Sequence, residues 1–407
     1  MPSLRNVFFV APFPMETTLG FANAIRGLSD VRLLGVFQSP PSGPGADIFD
    51  DMIQVADALD TGNILRGIKA LSARHGEPYR VLGVLENLQM QLAEVRFALG
   101  VPGPDVPTTT RFRDKGVMKD TLRAAGIPTA RHRRLRSDAD GWSFADEVGF
   151  PMVLKPPAGA GAKATWRVVD PDQLAEALST LKPSPQREVL AEEFLQGREY
   201  SFETITIGGR PLFHSISRYL PTPLEVLENP WIQWACVLPR DISGPEYDGA
   251  RELGVATIDA LGLDTAVTHM EWFRRSDGSL AVGEIALRPP GAQITEMTGL
   301  AHEMDFKRAW ARTMIDGAFD GPWERKYATG VAFFRGMGRG RVKSVVGLEE
   351  AHEKVGHLVV RANLPRVGAH RQDSYEGDGF AIVRHPETEV VTDAIQTLIQ
   401  TVRTEYA

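Results

Sequence analysis

Cysteine is nearly absent from this 407-residue chain, where Cys236 stands alone. An internal disulfide framework is thereby excluded and a zinc cluster disfavoured, which points to a reducing, cytoplasmic setting. A basic excess is missing as well. Lys and Arg number 45 against 52 Asp and Glu, a net charge of −7, so neither nucleic acid nor an anionic membrane is expected as a partner. No stretch approaches the roughly 18 apolar residues that a membrane span needs. The opening MPSLRNVFFVAPFPMETT is broken by Pro12 and Pro14 and shows neither a secretory core nor a small-residue cleavage site. Repeats and low-complexity tracts are absent. So are the two commonest nucleotide fingerprints, the Walker A loop and GxGxxG.

What is present reads as alternating α/β text. Asn6–Pro12, Val31–Phe37 and Arg80–Leu85 are short continuous apolar runs, and Leu19–Leu28 has a helical pattern. Such runs between helices predict parallel strands covered on both faces. Ligands of open α/β sheets gather at the carboxyl ends of strands, which makes Glu86 a site candidate. A glutamate favoured at a helix start is the competing reading. The proline-rich stretch 101–110 marks a boundary. Behind it, Asp114 is placed to cap a helix with Val117, Met118 and Leu122 as its apolar stripe, ended by Gly126 and Pro128. Lys115 sits at the wrong end of that helix for a cation, which suggests an anion docking nearby. From Pro322 onward the chain turns to short strands with glycine turns, then an amphipathic helix over Glu389–Arg403.

Three segments carry chemistry. In FPMVLKPPAGAGAKAT (Phe150–Thr165), a strand delivers Lys155 and a small-residue loop follows, a combination suited to cradling phosphate. Val189–Ile216 reads as two strands joined around Gly208–Gly209, with Glu192–Leu195 and Glu199 before the turn. In Thr268–Gly299, Asp277–Gly278 is a strong hairpin signal. A two-residue turn there pairs Ser276 with Ser279, and so sets Glu271 opposite Glu284 and His269 opposite Ala286. Facing carboxylates destabilise a strand pair, and a divalent metal reverses the sign. Arg288 lies two pleats further along the same face. His352, Glu353 and His357 miss the zinc spacing by one residue, His302–Glu303 reads as surface, and Trp231 and Trp234 suit either a pocket or a core.

In this order, the segments holding Lys115, Lys155, Glu192–Leu195, Glu199, Glu271, Glu284 and Arg288 resemble the ATP-grasp superfamily, and within it the carboxylate–amine ligases of the L-amino-acid ligase type in the biotin-carboxylase-like branch. The resemblance spans about Asn6 to Gly317. It implies an α/β and α+β fold: an N-terminal open α/β domain (1–108), a central ATP-grasp domain (109–320) with a mobile lid over about 135–196, and a small C-terminal domain (321–407). It further implies that Lys115 and Lys155 contact ATP phosphates and that the loop with Gly159, Gly161 and Ala162 folds over them. Glu192 belongs to the segment in which the backbone of Glu193 and Leu195 holds adenine, and Glu199 takes the ribose. Glu271 and Glu284 would bind one or two Mg²⁺, with Mn²⁺ as a substitute, and Arg288 would steady an acyl-phosphate.

The implied reaction joins a small carboxylate to a small amine with release of ADP and phosphate. Arg218, in the long segment up to Pro239, is a candidate anchor for the substrate carboxylate, and a homodimer is expected from the branch. One departure stands out. Ala286 occupies a position where many members carry a metal-binding Asn, and His269 is the candidate replacement. Two alternatives remain open at this stage, a carboxylase or formyl-phosphate-type transferase and a non-catalytic nucleotide-binding module.

Overall fold

The computed structural model describes residues 4–159, 165–229 and 231–407. Four parallel strands open the chain: β1 (Arg5–Ala11), β2 (Val31–Phe37), β3 (Asp51–Gln54) and β4 (Arg80–Leu82), ordered β3-β2-β1-β4. Their apolar runs are continuous because both faces are covered. Val7 and Phe9 pack with Phe21, Ile25 and Trp310 on one side, while Phe8 and Val10 pack with Ile64, Ile68 and Leu92 on the other. The helix Phe306–Asp316 that brings Trp310 comes from far along the chain and ties this sheet to the rest. The first helix covers Glu16–Arg26 rather than Leu19–Leu28. The proline-rich boundary holds a helix of its own, Val106–Arg113, capped by Asp105.

A second sheet is wholly antiparallel: β5 (His132–Leu135), β6 (Met152–Lys155), β7 (Trp166–Val168) and β8 (Val189–Glu193), ordered β5-β8-β6-β7. Its outer face buries Leu135, Met152 and Leu154 under the helices Asp138–Val148 and Pro171–Leu181. The other face is left for the cleft.

The central sheet has eight antiparallel strands. It contains β9 (Gly197–Ile207), β10 (Arg210–Leu220), β11 (Ala235–Leu238), β12 (Ala266–Arg275), β13 (Leu280–Ala286) and β14 (Ala328–Phe334). After β15 (Val342–Val346) come β16 (Val359–Asn363) and β17 (Gly379–His385), and β18 (Arg403–Tyr406) pairs with β15. The order β13-β12-β9-β10-β11-β14-β17-β16 shows that β14, β16 and β17 continue the central sheet, while β15 and β18 form a two-stranded sheet of their own. The last helix, Thr388–Thr401, packs there with Val391 and Ile395 over Gly330, where a Cβ would strike both side chains. No helix among the described residues is long and apolar enough to cross a membrane.

His302, expected at the surface, is buried. Its Nδ1 donates to the Glu324 carbonyl at 2.9 Å and its Nε2 accepts from Arg325 at 3.4 Å, so a second proton would face a guanidinium. Burial first, then Arg325, brings the pKa values of His302 and nearby His214 down from 6.5 to about 4. Both rings are neutral in the folded state above that value, whereas the unfolded chain takes up their protons near 6.5. Their contribution to stability is therefore complete above about pH 6.5 and is lost as the pH falls toward 4. The melting temperature is expected to drop across that interval, and less so in His214→Phe/His302→Gln. Equal slopes for the two proteins would refute the assignment.

Candidate active site

The face of the second sheet opposite its helices looks onto the central sheet across a cleft of about 700 Å³. Among the sequence candidates, Lys115, Lys155, Gly159, Glu192, Glu193, Leu195, Glu199, Glu271, Glu284 and Arg288 line it. Gly161 and Ala162 lie outside the described residues.

The floor is the β12–β13 hairpin. Glu271 is paired with Glu284 and His269 with Ala286, but the route to that register differs from the expected one. The turn is one residue longer: Gly278 N–H donates to Arg275 O at 3.0 Å, and Arg275 N–H to Ser279 O at 2.8 Å. Gly278 supplies the left-handed φ of +83° that this three-residue loop demands. By itself the extra residue would slide every later pair by one. A bulge at Gly283 absorbs it, since Trp272 pairs with Val282 while Glu271 pairs with Glu284. Glycine is required at the bulge because a Cβ would sit 2.9 Å from the Phe273 ring and 3.2 Å from the Glu271 carbonyl.

Lysines meet this floor from two directions. Asp114 caps the helix Lys115–Ala124 by accepting from the amides of Gly116 and Val117. Lys115, in its first turn, reaches Glu284 Oε2 at 3.2 Å and the Gly159 carbonyl at 3.1 Å. Lys155, at the end of β6, pairs with Glu192 of β8 at 2.9 Å. Burial opposes the Lys155 charge, yet Glu192 and Glu284 raise its pKa. For Glu284, burial is outweighed by Lys115 and Lys155, which bring its carboxyl down to about 2. Glu199 behaves oppositely: burial, with Glu271 and Glu284 adding to it, lifts its pKa well above the usual carboxylate range.

A third lysine escaped the sequence reading. Lys119 is fully buried, donates to the bulged Gly283 carbonyl at 2.7 Å, and lies 3.5 Å from Glu192 Oε1. Burial lowers its pKa, while Glu192 acts in the opposite direction. Its signal was available. Residues 115, 118, 119 and 122 form one buried helical stripe, and a lysine in the middle of such a stripe needs a partner.

Two candidates do not line the cleft. Glu86 begins a short turn after β4 and holds Arg288, whose Nε and Nη2 lie 3.1 and 3.0 Å from Glu86 Oε2. Arg113 approaches the other oxygen at 3.4 Å. Glu86 thus positions the arginine. Arg218 is a correction. It donates to Tyr247 Oη at 2.6 Å and Glu246 at 2.7 Å, while its neighbour Tyr219 lines the cleft. Successive strand residues point to opposite faces, so the expectation of a substrate anchor missed by one position.

His269 is a second correction. Its Nδ1 lies 3.0 Å from Glu203 and its Nε2 3.7 Å from Glu271. Burial resists the charge, but hydrogen bonds to Glu203 and Glu271 raise the pKa to about 9. Held between Glu203 and Glu271, His269 braces Glu271 in this arrangement. Trp234 is buried and lines the cleft, while Trp231 is exposed.

Comparison with known proteins bears on this arrangement. Residues 120–295 match the family model described as the ATP-grasp domain. The chain carries an ATP-grasp domain. Its curated relatives include an L-arginine-specific L-amino acid ligase of Bacillus subtilis, 26% identical over 61% of this chain and 60% of that protein. A D-alanine–D-alanine ligase of Neisseria gonorrhoeae (strain NCCP11945) is 28% identical over 64% of this chain and 82% of its own. The match to the first of these thus spans less than two thirds of the relative's length. Among solved structures, an L-amino acid ligase from Bacillus licheniformis superposes with a TM-score of 0.82 at 18% identity, covering all of both chains. This ATP-grasp chain therefore shares its whole fold with that enzyme.

Proposed function

We propose that the chain is a Mg-ATP-dependent carboxylate–amine ligase that forms an amide or peptide bond through an acyl-phosphate. The observation that carries this reading is the facing of Glu271 and Glu284 across one register position, with Lys115, Lys155 and Arg288 lining the same cleft. Like charges held opposite each other ask for a cation between them. Of the two carboxylates Lys115 reaches Glu284, and among the described residues Glu271 has the Tyr219 hydroxyl at 3.3 Å and the His269 ring nearby. Among the described residues, no group of three or more His, Cys, Asp or Glu forms a metal cage. That fits magnesium, which is held by one or two carboxylates with phosphate oxygens and waters completing the shell. Glu271 and Glu284 would hold it, and it would offset the charge that develops in phosphoryl transfer.

The chain's own groups do the rest by position. Lys115 and Lys155 would approach the phosphates from facing walls, each beside a carboxylate. Glu199, whose carboxyl is pushed up by burial and by Glu271 and Glu284, would face the nucleotide sugar. Arg288, pinned by Glu86, stands where the substrate carboxylate would attack the γ-phosphorus, expelling ADP. An amine then adds to the acyl carbon, loses its proton, and phosphate leaves. No protein nucleophile is needed, since orientation and fixed charge supply the rate.

The test is ADP release with Mg-ATP and amino acids or other small carboxylates, singly and in pairs, with products weighed by mass spectrometry. ADP formed only with a pair, together with an amide, is the expected result. Turnover with bicarbonate or formate in place of a pair would replace the ligase by a carboxylase or formyl-phosphate chemistry.

A further inference from the structure

Beyond the reacting groups, one end of the cleft is built from rings. Tyr219 and Trp234 meet edge to face with centroids 5.4 Å apart, Tyr375 does the same on Trp234 at 4.7 Å, and Phe333 stacks behind Trp234 at 5.1 Å. The polar tips of two of these side chains are occupied. Trp234 Nε1 donates to the Pro221 carbonyl at 2.8 Å, and Tyr219 Oη donates to Glu271 at 3.3 Å. What the Tyr219–Trp234 pair offers the cleft is therefore hydrocarbon, extended by Ile294. Ala292, packed in the same apolar cluster as these rings, has a minimal side chain, and a Cβ on Gly291 would meet nothing within 4 Å.

Charges at this end are already committed. Arg288 is neutralised by Glu86 and reserved for the reacting carboxylate, and His269 is held by Glu203. Glu271 belongs to the proposed cation site. Among the described residues, the other acids lining the cleft are Glu192, Glu193, Glu199 and Glu284, which belong to the nucleotide and cation groups already described, and two on the helix Pro223–Glu228, where Glu228 pairs with Arg167 at 3.3 Å and Glu225 is exposed. A charged side chain entering here would lose its hydration without gaining a buried partner, a cost that selects against it.

We propose that the acid activated by this enzyme carries an uncharged, apolar side chain of branched or ring size, packed against Tyr219, Trp234 and Tyr375. This rests on the ligase reading and narrows it to a substrate class. The aromatic wall acts as a specificity surface, giving area and edge-to-face contacts with little flexibility to lose.

The experiment compares L-leucine, L-methionine and L-phenylalanine with L-glutamate, L-lysine and L-arginine as the acid, each with L-alanine as common partner. ADP release is measured and products are sequenced by mass spectrometry to show which carboxyl was activated. The apolar set is expected to exceed the charged set by at least about tenfold in kcat/KM, a factor that a few buried methylenes supply. In Tyr375→Ser the KM for the apolar acid is expected to rise about tenfold, with the KM for ATP unchanged within about twofold. A preference for a charged acid, or an unchanged KM in Tyr375→Ser, overturns the inference and leaves the ligase reading standing. If no pair turns over, calorimetric titration of L-leucine and L-phenylalanine into the Mg-ADP-loaded protein decides separately. Binding that Tyr375→Ser weakens keeps the apolar site while the ligase reading fails; no binding ends both.

Discussion

Glu284→Gln is expected to reduce ADP release about a thousandfold, the rate equivalent of about 4 kcal/mol of lost transition-state stabilisation at a metal-bridged phosphate. Glutamine keeps the volume and an oxygen that Lys115, 3.2 Å away, can still reach, so the hairpin is retained. What disappears is one of the two charges facing each other in the register of β12 and β13. Loss of turnover in a chain that still folds, with a lowered melting temperature because Lys115 loses its ion pair and with dependence on magnesium shifted to higher concentration, is the expected pattern. A variant retaining more than about a tenth of the activity would remove Glu284 from the cation site.

The second large effect belongs to a residue that touches no proposed substrate. Lys119→Met should cost about 3 kcal/mol of stability, because it removes one member of a buried charged cluster and leaves a buried carbonyl without its donor. The Gly283 carbonyl loses its 2.7 Å donor and Glu192 loses one of its two lysines. Both consequences reach the nucleotide: the bulge presents Glu284, and Glu192 holds Lys155. Denaturant unfolding should show the lost stability, and the KM for ATP should rise about tenfold or more, in keeping with a lost charge-assisted contact. Lys119→Met/Glu192→Gln tests the coupling. It should be less stable than the single variant, since Lys155 then loses its carboxylate partner at 2.9 Å, and ATP affinity should not return. If the double variant recovers both, Lys119 is structural alone.

Much of this site was readable before any coordinates, for identifiable reasons. Lys155 follows an apolar strand and precedes small residues. Asp114 caps its helix through its own side chain, which is a local event. The facing of Glu271 and Glu284 was reached through a turn of the wrong length, and the compensating bulge at Gly283 made the outcome agree. Strand pairing is set by turn and bulge together, and Asp277–Gly278 spoke only for the turn. Arg218 failed because a strand alternates faces, and nothing in Ser217–Arg218–Tyr219 declares which face meets the cleft. His302 failed because burial of a polar ring depends on Glu324 and Arg325, whose placement beside it is a matter of packing.

Local chemistry, then, determined the inventory: parallel strands covered on both faces, a capped helix carrying Lys115, a phosphate-type loop after Lys155, and a hairpin bearing two carboxylates before Arg288. These rest on periodicity, caps and turn residues, which act over a few positions. Tertiary structure decided the pairings across long sequence distances. Glu86 meets Arg288 across 202 residues and Lys119 meets the Gly283 carbonyl across 164. It also decided that β14, β16 and β17 extend the central sheet, and that Tyr375 faces Trp234 beside the reacting groups. Such contacts form because buried charges must find partners and apolar rings must leave water, and which partner is in reach depends on the folded arrangement of the whole chain.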